Sequence, residues 1–85
     1  MASYRLLIKP SAAKELLALP RRDRKRVVDR IARLASDPRP SGSEKLSGHD
    51  QYRVRQGDFR VVYTIDDVAS VLIVVKIGHR HDVYR

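Results

Sequence analysis

The residues of this chain best suited to chemistry are three arginines close together in sequence, Arg53, Arg55 and Arg60. In an extended strand successive side chains alternate between faces, so Arg53 and Arg55 share one face while Tyr52 and Val54 share the other. In the next extended segment Phe59, Val61, Tyr63 and Ile65 form one set, and Arg60, Val62 and Thr64 the opposite one. Taking Gln56-Gly57 as a two-residue hairpin loop pairs Arg55 with Asp58, Val54 with Phe59, Arg53 with Arg60, and Tyr52 with Val61. An even loop keeps the apolar sets in register, whereas a three-residue loop mixes them. All three guanidiniums then fall on one face, within a small area. Like charges directly opposed cost ~0.2–1 kcal/mol per pair. An anion bound between them removes that penalty; the plainer alternative is neutralisation by Asp58 and Asp82. A guanidinium is a planar, permanently charged fork that matches phosphate. It can stabilise charge developing on phosphorus or on a leaving oxygen, but it cannot act as a base.

Histidine has the better pKa for proton transfer, about 6.5. His79 and His81 lie near the chain's end and share a face, opposite Arg80 if the strand continues that far. Together with Asp82 they resemble a ligand set, but the surrounding cationic field and the lack of a second cluster argue against a metal site. No metal and no cofactor are expected. There is no P-loop, no glycine-rich dinucleotide motif and no serine–histidine–aspartate set.

The charge balance points to the same class of partner. The 18 Lys plus Arg against 10 Asp plus Glu give a formal net charge of +8, which favours nucleic acid, an anionic assembly or an acidic protein. Arginine outnumbers lysine 13 to 5. That leans toward phosphate recognition, although a G+C-rich genome produces the same bias. Arg21, Arg22, Arg24, Lys25, Arg26, Arg30 and Arg33 crowd one predicted helix, with only Asp23 and Asp29 to balance them. The ordinary reading is a solvated face; Arg22 and Arg26 also suit auxiliary docking on a nucleic-acid backbone. The 85 residues suffice for a single domain, 1–85, with a modest core that a partner can help stabilise. There is no Cys, no signal-peptide pattern in Met1 to Lys9 and no run of membrane-spanning length, Val71 to Val75 being the longest apolar run. The expected location is the cytoplasm, with no membrane association.

The elements that position the arginines are legible. Ser3 to Ile8 alternates as a first strand. Pro10 and Ser11 start a helix with Ser11 as N-cap, and Ala12, Ala13, Leu16 and Leu17 lie on one side. Pro20 ends it and suits the first position of a second helix, Arg21 to Ser36. The stripe of that helix is Val27, Val28, Ile31, Leu34 and Ala35. Arg39 to Glu44 reads as a loop. Three strands follow, Gln51 to Arg55, Phe59 to Ile65 and Val71 to Ile77, forming an antiparallel meander. The continuous run Val71 to Val75 suggests a central strand covered on both faces. The class is therefore α+β: an N-terminal strand, a two-helix antiparallel hairpin and a three-stranded meander, with the helices on one sheet face.

Lys45-Leu46-Ser47-Gly48-His49-Asp50-Gln51-Tyr52-Arg53-Val54-Arg55-Gln56-Gly57-Asp58-Phe59-Arg60-Val61-Val62-Tyr63 resembles the central signature of the RelE/ParE toxin superfamily, and Ile77-Gly78-His79-Arg80-His81-Asp82-Val83-Tyr84 resembles its ending. The order of elements matches as well, so the resemblance covers essentially the whole chain. It implies a RelE-like toxin of a type II toxin–antitoxin pair: a metal-independent endoribonuclease that cuts mRNA in the ribosomal A site with the substrate's 2′-hydroxyl as nucleophile. The implied partners are a RelB-like antitoxin, the ribosome and mRNA. The implied state is a monomeric toxin that assembles as a toxin–antitoxin hetero-oligomer. Carried over by position, Arg53 and Arg55 fall where RelE-type members place basic active-site residues. Arg60 matches an arginine of the turn, Arg80 a tail arginine and Tyr84 the tail tyrosine. Lys45 joins the RNA-binding set with Arg22, Arg26, Arg53, Arg55, Arg60 and Arg80. The family pattern has lysines where this chain has Arg53 and Arg55, so the base is left to Tyr84, His79, His81 or His49, or is absent. Rival readings are a gyrase-inhibiting toxin of the ParE branch and a non-catalytic nucleic-acid- or antitoxin-binding relative. Arg80 and Tyr84, with Arg53 and Arg55, favour the nuclease.

Overall fold

A computed structural model of the chain describes residues 3–46 and 50–79. Its elements run β1 (Arg5–Ile8), α1 (Pro10–Leu17), α2 (Arg21–Leu34), β2 (Glu44–Lys45), β3 (Gln51–Gln56), β4 (Phe59–Asp66) and β5 (Val71–His79). The five strands form one sheet in the order β1-β5-β4-β3-β2. β1 pairs with β5 in parallel, from Arg5↔Val71 to Ile8↔Val74, and all other pairs are antiparallel. The architecture is the expected α+β one, two helices on one face of a sheet. The sheet gains a fifth strand, because Glu44, at the end of the segment read as loop, and Lys45 after it pair with Arg53 and Tyr52.

α1 begins two residues before its expected start, its cap being Lys9 rather than Ser11, whereas α2 begins at Arg21 as expected, with Pro20 as its cap rather than its first residue. Lys9 caps α1 and Pro10 occupies its first turn, with no side-chain cap. Proline has no N–H to leave unsatisfied there and its φ is already helical, so Ser11 lies inside the helix rather than capping it. Pro20 is the N-cap of α2, its carbonyl accepting the Arg24 N–H at 2.8 Å. The helix ends at Leu34, two residues short of Ser36, and the Ser36 and Asp37 N–H groups both turn back to the Arg33 carbonyl.

The core joins Ala12 and Leu16 of α1, Val27, Ile31 and Leu34 of α2, and Val54, Val61, Tyr63, Leu72, Val74 and Ile77 of the sheet. Leu17 and Val28, expected to be inside, are 68% and 43% exposed. Each lies one residue, about 100° of helix, past a buried one, which turns it off the narrow face that meets the sheet. β5 is interior where β1 flanks it, but the helices cover one face only. Leu72 and Val74 are buried while Val71, Ile73 and Val75 are half-buried. A bulge accounts for Val75, the last residue of the apolar run. Val62 pairs with Lys76 but Tyr63 pairs with Val74, leaving Val75 as the extra residue, so the core face resumes at Ile77. Beyond the end of β1 the β5 edge is closed by α1. Glu15 accepts the Ile77 N–H at 2.9 Å and the Lys76 ammonium at 3.0 Å. A carboxylate on an otherwise open strand edge blocks edge-to-edge pairing.

Candidate active site and nucleic-acid interface

The helix-free face of β3 and β4 carries the three arginines. The register is Gln56↔Phe59, Arg55↔Arg60, Val54↔Val61, Arg53↔Val62 and Tyr52↔Tyr63. The parity of the hairpin is as expected, but its turn is Gly57-Asp58 rather than Gln56-Gly57. Only a first central residue that tolerates positive φ fits this turn, and Gly57 sits at φ 61° while Asp58 stays in the ordinary region. The shift moves the like-charge contact: Arg60 stands opposite Arg55, not Arg53. On its other side Arg60 faces Gly78 of β5, which adds no side chain to the face. Arg60 is 5% exposed and Arg55 is exposed. A guanidinium buried to that degree is tolerated only where partners match its charge.

Arg53 has a partner the sequence reading missed. Its guanidinium meets Glu44 Oε1 at 2.9 Å, the two residues being direct neighbours across β2 and β3. Glu44 thus adds a neutralising carboxylate to Asp58 and Asp82, the two that the plainer reading offered. Asp58 is in the turn, and Asp82 lies outside the described residues. Among the described residues, Glu44 is the carboxylate that the register sets beside an arginine of this cluster.

The other expected site residues separate. His79 pairs with Phe59 and meets its ring edge-on, with centroids 5.8 Å apart at 83°. It therefore belongs to the Phe59 side of the sheet, opposite Arg60. Lys45 pairs with Tyr52 and so lies on that same side, exposed on β2. Arg22 and Arg26 are exposed on α2, also across the sheet from the arginine trio. Arg80, Tyr84, His81 and His49 lie outside the described residues. No group of three or more His, Cys, Asp or Glu suited to a metal occurs among the described residues.

A second polar cluster, at the opposite end of β3 and β4, was not foreseen. Arg39 binds Asp67 through both terminal nitrogens, at 3.2 and 2.8 Å, and donates Nε–H to the Tyr52 hydroxyl at 3.2 Å. The Tyr4 hydroxyl donates to Asp67 at 2.6 Å. Tyr52 stacks on Tyr63, whose hydroxyl donates to the Pro38 carbonyl at 2.7 Å. Hydrogen bonds from Arg39 and Tyr4 hold the Asp67 carboxyl below its ordinary range, and the bond to Asp67 raises the Tyr4 phenol. Burial pushes the Tyr63 phenol up to about 12. This clasp ties the strand leading into β1, the loop after α2 and the β4–β5 turn together.

Comparison with known proteins places the fold. The family model of the ParE toxin of the type II toxin–antitoxin system parDE matches residues 6–84. Toxin RelG of Mycobacterium tuberculosis is 29% identical over 86 residues, covering 96% of this chain and 97% of its own. The toxin in the archaeal RelE–RelB complex from Pyrococcus horikoshii is 30% identical, with TM-score 0.84 over 94% of this chain and 98% of that one. That of the intact RelBE toxin–antitoxin complex of E. coli is 26% identical, with TM-score 0.80 over 91% and 96%. Sequence family and fold agree over nearly the whole length, and the chain belongs to the ParE toxin family of type II toxin–antitoxin systems, within the RelE/ParE superfamily.

Proposed function

We propose that this chain is a metal-independent endoribonuclease toxin that cleaves mRNA on the ribosome and so stops translation, held inactive in the cytoplasm by a RelB-like antitoxin. The observation that carries the reading is the arginine trio on the helix-free face, with Arg55 directly opposite Arg60 and Arg53 beside it. A sheet selected for stability alone avoids that pairing. A phosphodiester gives it a purpose, because two or three forked cations around one phosphate stabilise the pentacoordinate state formed by 2′-oxygen attack. The similarity to RelG and to the toxins of the RelE–RelB and RelBE complexes supports the toxin role and the antitoxin partner.

Cleavage also needs a proton acceptor for the 2′-hydroxyl. With His79 on the other face, the group among the described residues suited to that role is Glu44, adjacent to Arg53. Arg80 and Tyr84 are the tail groups proposed to hold the leaving side of the scissile phosphate and to stack a base. A second reading, inhibition of gyrase by a toxin of the ParE branch, draws on the match to the ParE toxin family. Induction in cells followed by mapping of transcript 5′ ends separates the two. Ribosome-coupled cleavage gives new ends within translated regions soon after induction. Intact transcripts with altered plasmid supercoiling would instead establish the gyrase reading.

A further inference from the structure

The outward flank of α2 is built as a groove. Arg26, Asp29, Ala32 and Arg33 line an open cleft of about 490 Å³ whose far wall is Gln56 at the end of β3. Arg33 also lines a second cleft of about 320 Å³, with Arg30, Leu34, Ser36, Asp37 and Pro40. The two adjoin at Arg33 and follow the helix for about 12 Å from Arg26 to Leu34 at 1.5 Å per residue. Arg26, Arg30 and Arg33 each precede a core position, Val27, Ile31 and Leu34, so they lie along the flank of the helix beside the face that meets the sheet. Arg26 and Arg33 form no ion pair within 4 Å among the described residues, although Asp29 stands between them on the helix. The Arg30 Nε is buried without a hydrogen-bond partner.

The groove connects to the arginine trio round a strand edge. β2 covers β3 only at Tyr52 and Arg53, so from Val54 to Gln56 the described chain places no strand outside β3. Across that edge consecutive residues face opposite ways: Arg55 points to the helix-free face, and Gln56 points into the cleft beside Arg26 and Arg33. A single-stranded backbone leaving the trio at Arg55 therefore meets Gln56, then Arg33 and Arg26, with Arg30 beyond.

We propose that this α2 groove is the track for the RNA strand flanking the cleaved phosphate, its arginines gripping successive phosphates without reading bases. The proposal rests on the nuclease reading for the identity of the polymer, but it is tested by binding alone. The probe is a fluorescein-labelled 2′-O-methyl oligoribonucleotide, which the proposed chemistry cannot cut, titrated by anisotropy into the full-length protein across a salt series. Arg26→Gln with Arg33→Gln is expected to weaken binding roughly tenfold or more at low salt and to reduce the salt slope by about 1.4, at ~0.7 per phosphate contact. Asp29→Asn is expected to tighten binding. A charge-matched control, Lys9→Gln with Lys14→Gln on and beside α1, is expected to leave the slope near that of the parent protein. Equal weakening by groove and control pairs overturns the track, because only net charge would then be acting. Unchanged RNA binding, with lost binding of a polyglutamate probe, overturns it in favour of an acidic protein partner. If cleavage is absent while the groove pair still reduces the slope, the nuclease reading fails and the groove stands only as a phosphate-gripping RNA surface.

Discussion

The two ends of the β3–β4 hairpin hold arginine in opposite ways. At one end Arg39 is matched: a carboxylate takes both terminal nitrogens, a phenol takes Nε, and the surrounding rings stack. At the other end Arg55 and Arg60 are set face to face, and among the described residues Glu44 meets Arg53 beside them. The Arg39 cluster gives the chain a defined loop. The trio concentrates positive charge where a backbone anion can relieve it. The same residue type thus serves structure at one end and ligand binding at the other, and substitutions should separate the two by sign.

The largest effect is expected at the buried member of the trio. Arg60→Ala should lower cleavage of ribosome-bound mRNA by about 100- to 1000-fold, the usual cost of losing one charge-stabilising donor. Because Arg60 is buried, it should also cost about 2 kcal/mol of stability. Arg60→Lys keeps the charge without the fork and should recover most of the stability but little of the rate, as read by denaturant melts alongside cleavage assays. Glu44→Gln should divide binding from turnover: RNA affinity rises roughly two- to fivefold as Arg53 is released, while the cleavage rate falls. A variant that cleaves at the parental rate would remove Glu44 as proton acceptor. Arg55→Gln should slow cleavage yet raise stability by ~0.2–1 kcal/mol, since the opposed pair disappears. Arg39→Gln, the matching change at the other end, should lower Tm and leave cleavage close to normal. If both variants lose stability, the contrast between the ends fails.

The smallest effects are those of pH on the clasp. The folded Asp67 carboxyl titrates below its unfolded value, so its stabilising contribution is present above the ordinary carboxylate range and is lost as pH falls through the lowered folded value. Asp67→Asn should therefore narrow the difference in Tm between neutral and acid pH. For the Tyr63 phenol, raised to about 12, the contribution is complete below pH ~10 and is lost as pH rises through that folded value. Phenolate absorbance should show a tyrosine titrating at about 12 that Tyr63→Phe removes.

How far the sequence reached follows from what alternation and local chemistry encode. Period-two patterning put Arg53, Arg55 and Arg60 on one face and the helices on the other, because a face depends on parity and not on turn position. The turn itself was displaced by one residue, since choosing between Gln56-Gly57 and Gly57-Asp58 requires knowing where φ is positive. A two-residue strand is too short for any period, which hid β2 and with it the Glu44–Arg53 pair. The apolar run of β5 overstated its burial, since Val71 and Ile73 lie half-buried on the helix-free side and Val75 is a bulge residue. The Arg39–Asp67 contact joins residues 28 apart in the chain, through a loop whose path no local pattern describes.

The central claim, that the arginine trio promotes attack of a 2′-oxygen on the neighbouring phosphorus, is tested most directly by the ends it leaves. The purified toxin acting on programmed ribosomes should yield a 2′,3′-cyclic phosphate and a 5′-hydroxyl, and a single 2′-deoxy substitution at the cut should stop the reaction. Cleavage that survives the deoxy substitution, or fragments ending in a 3′-hydroxyl, would contradict it.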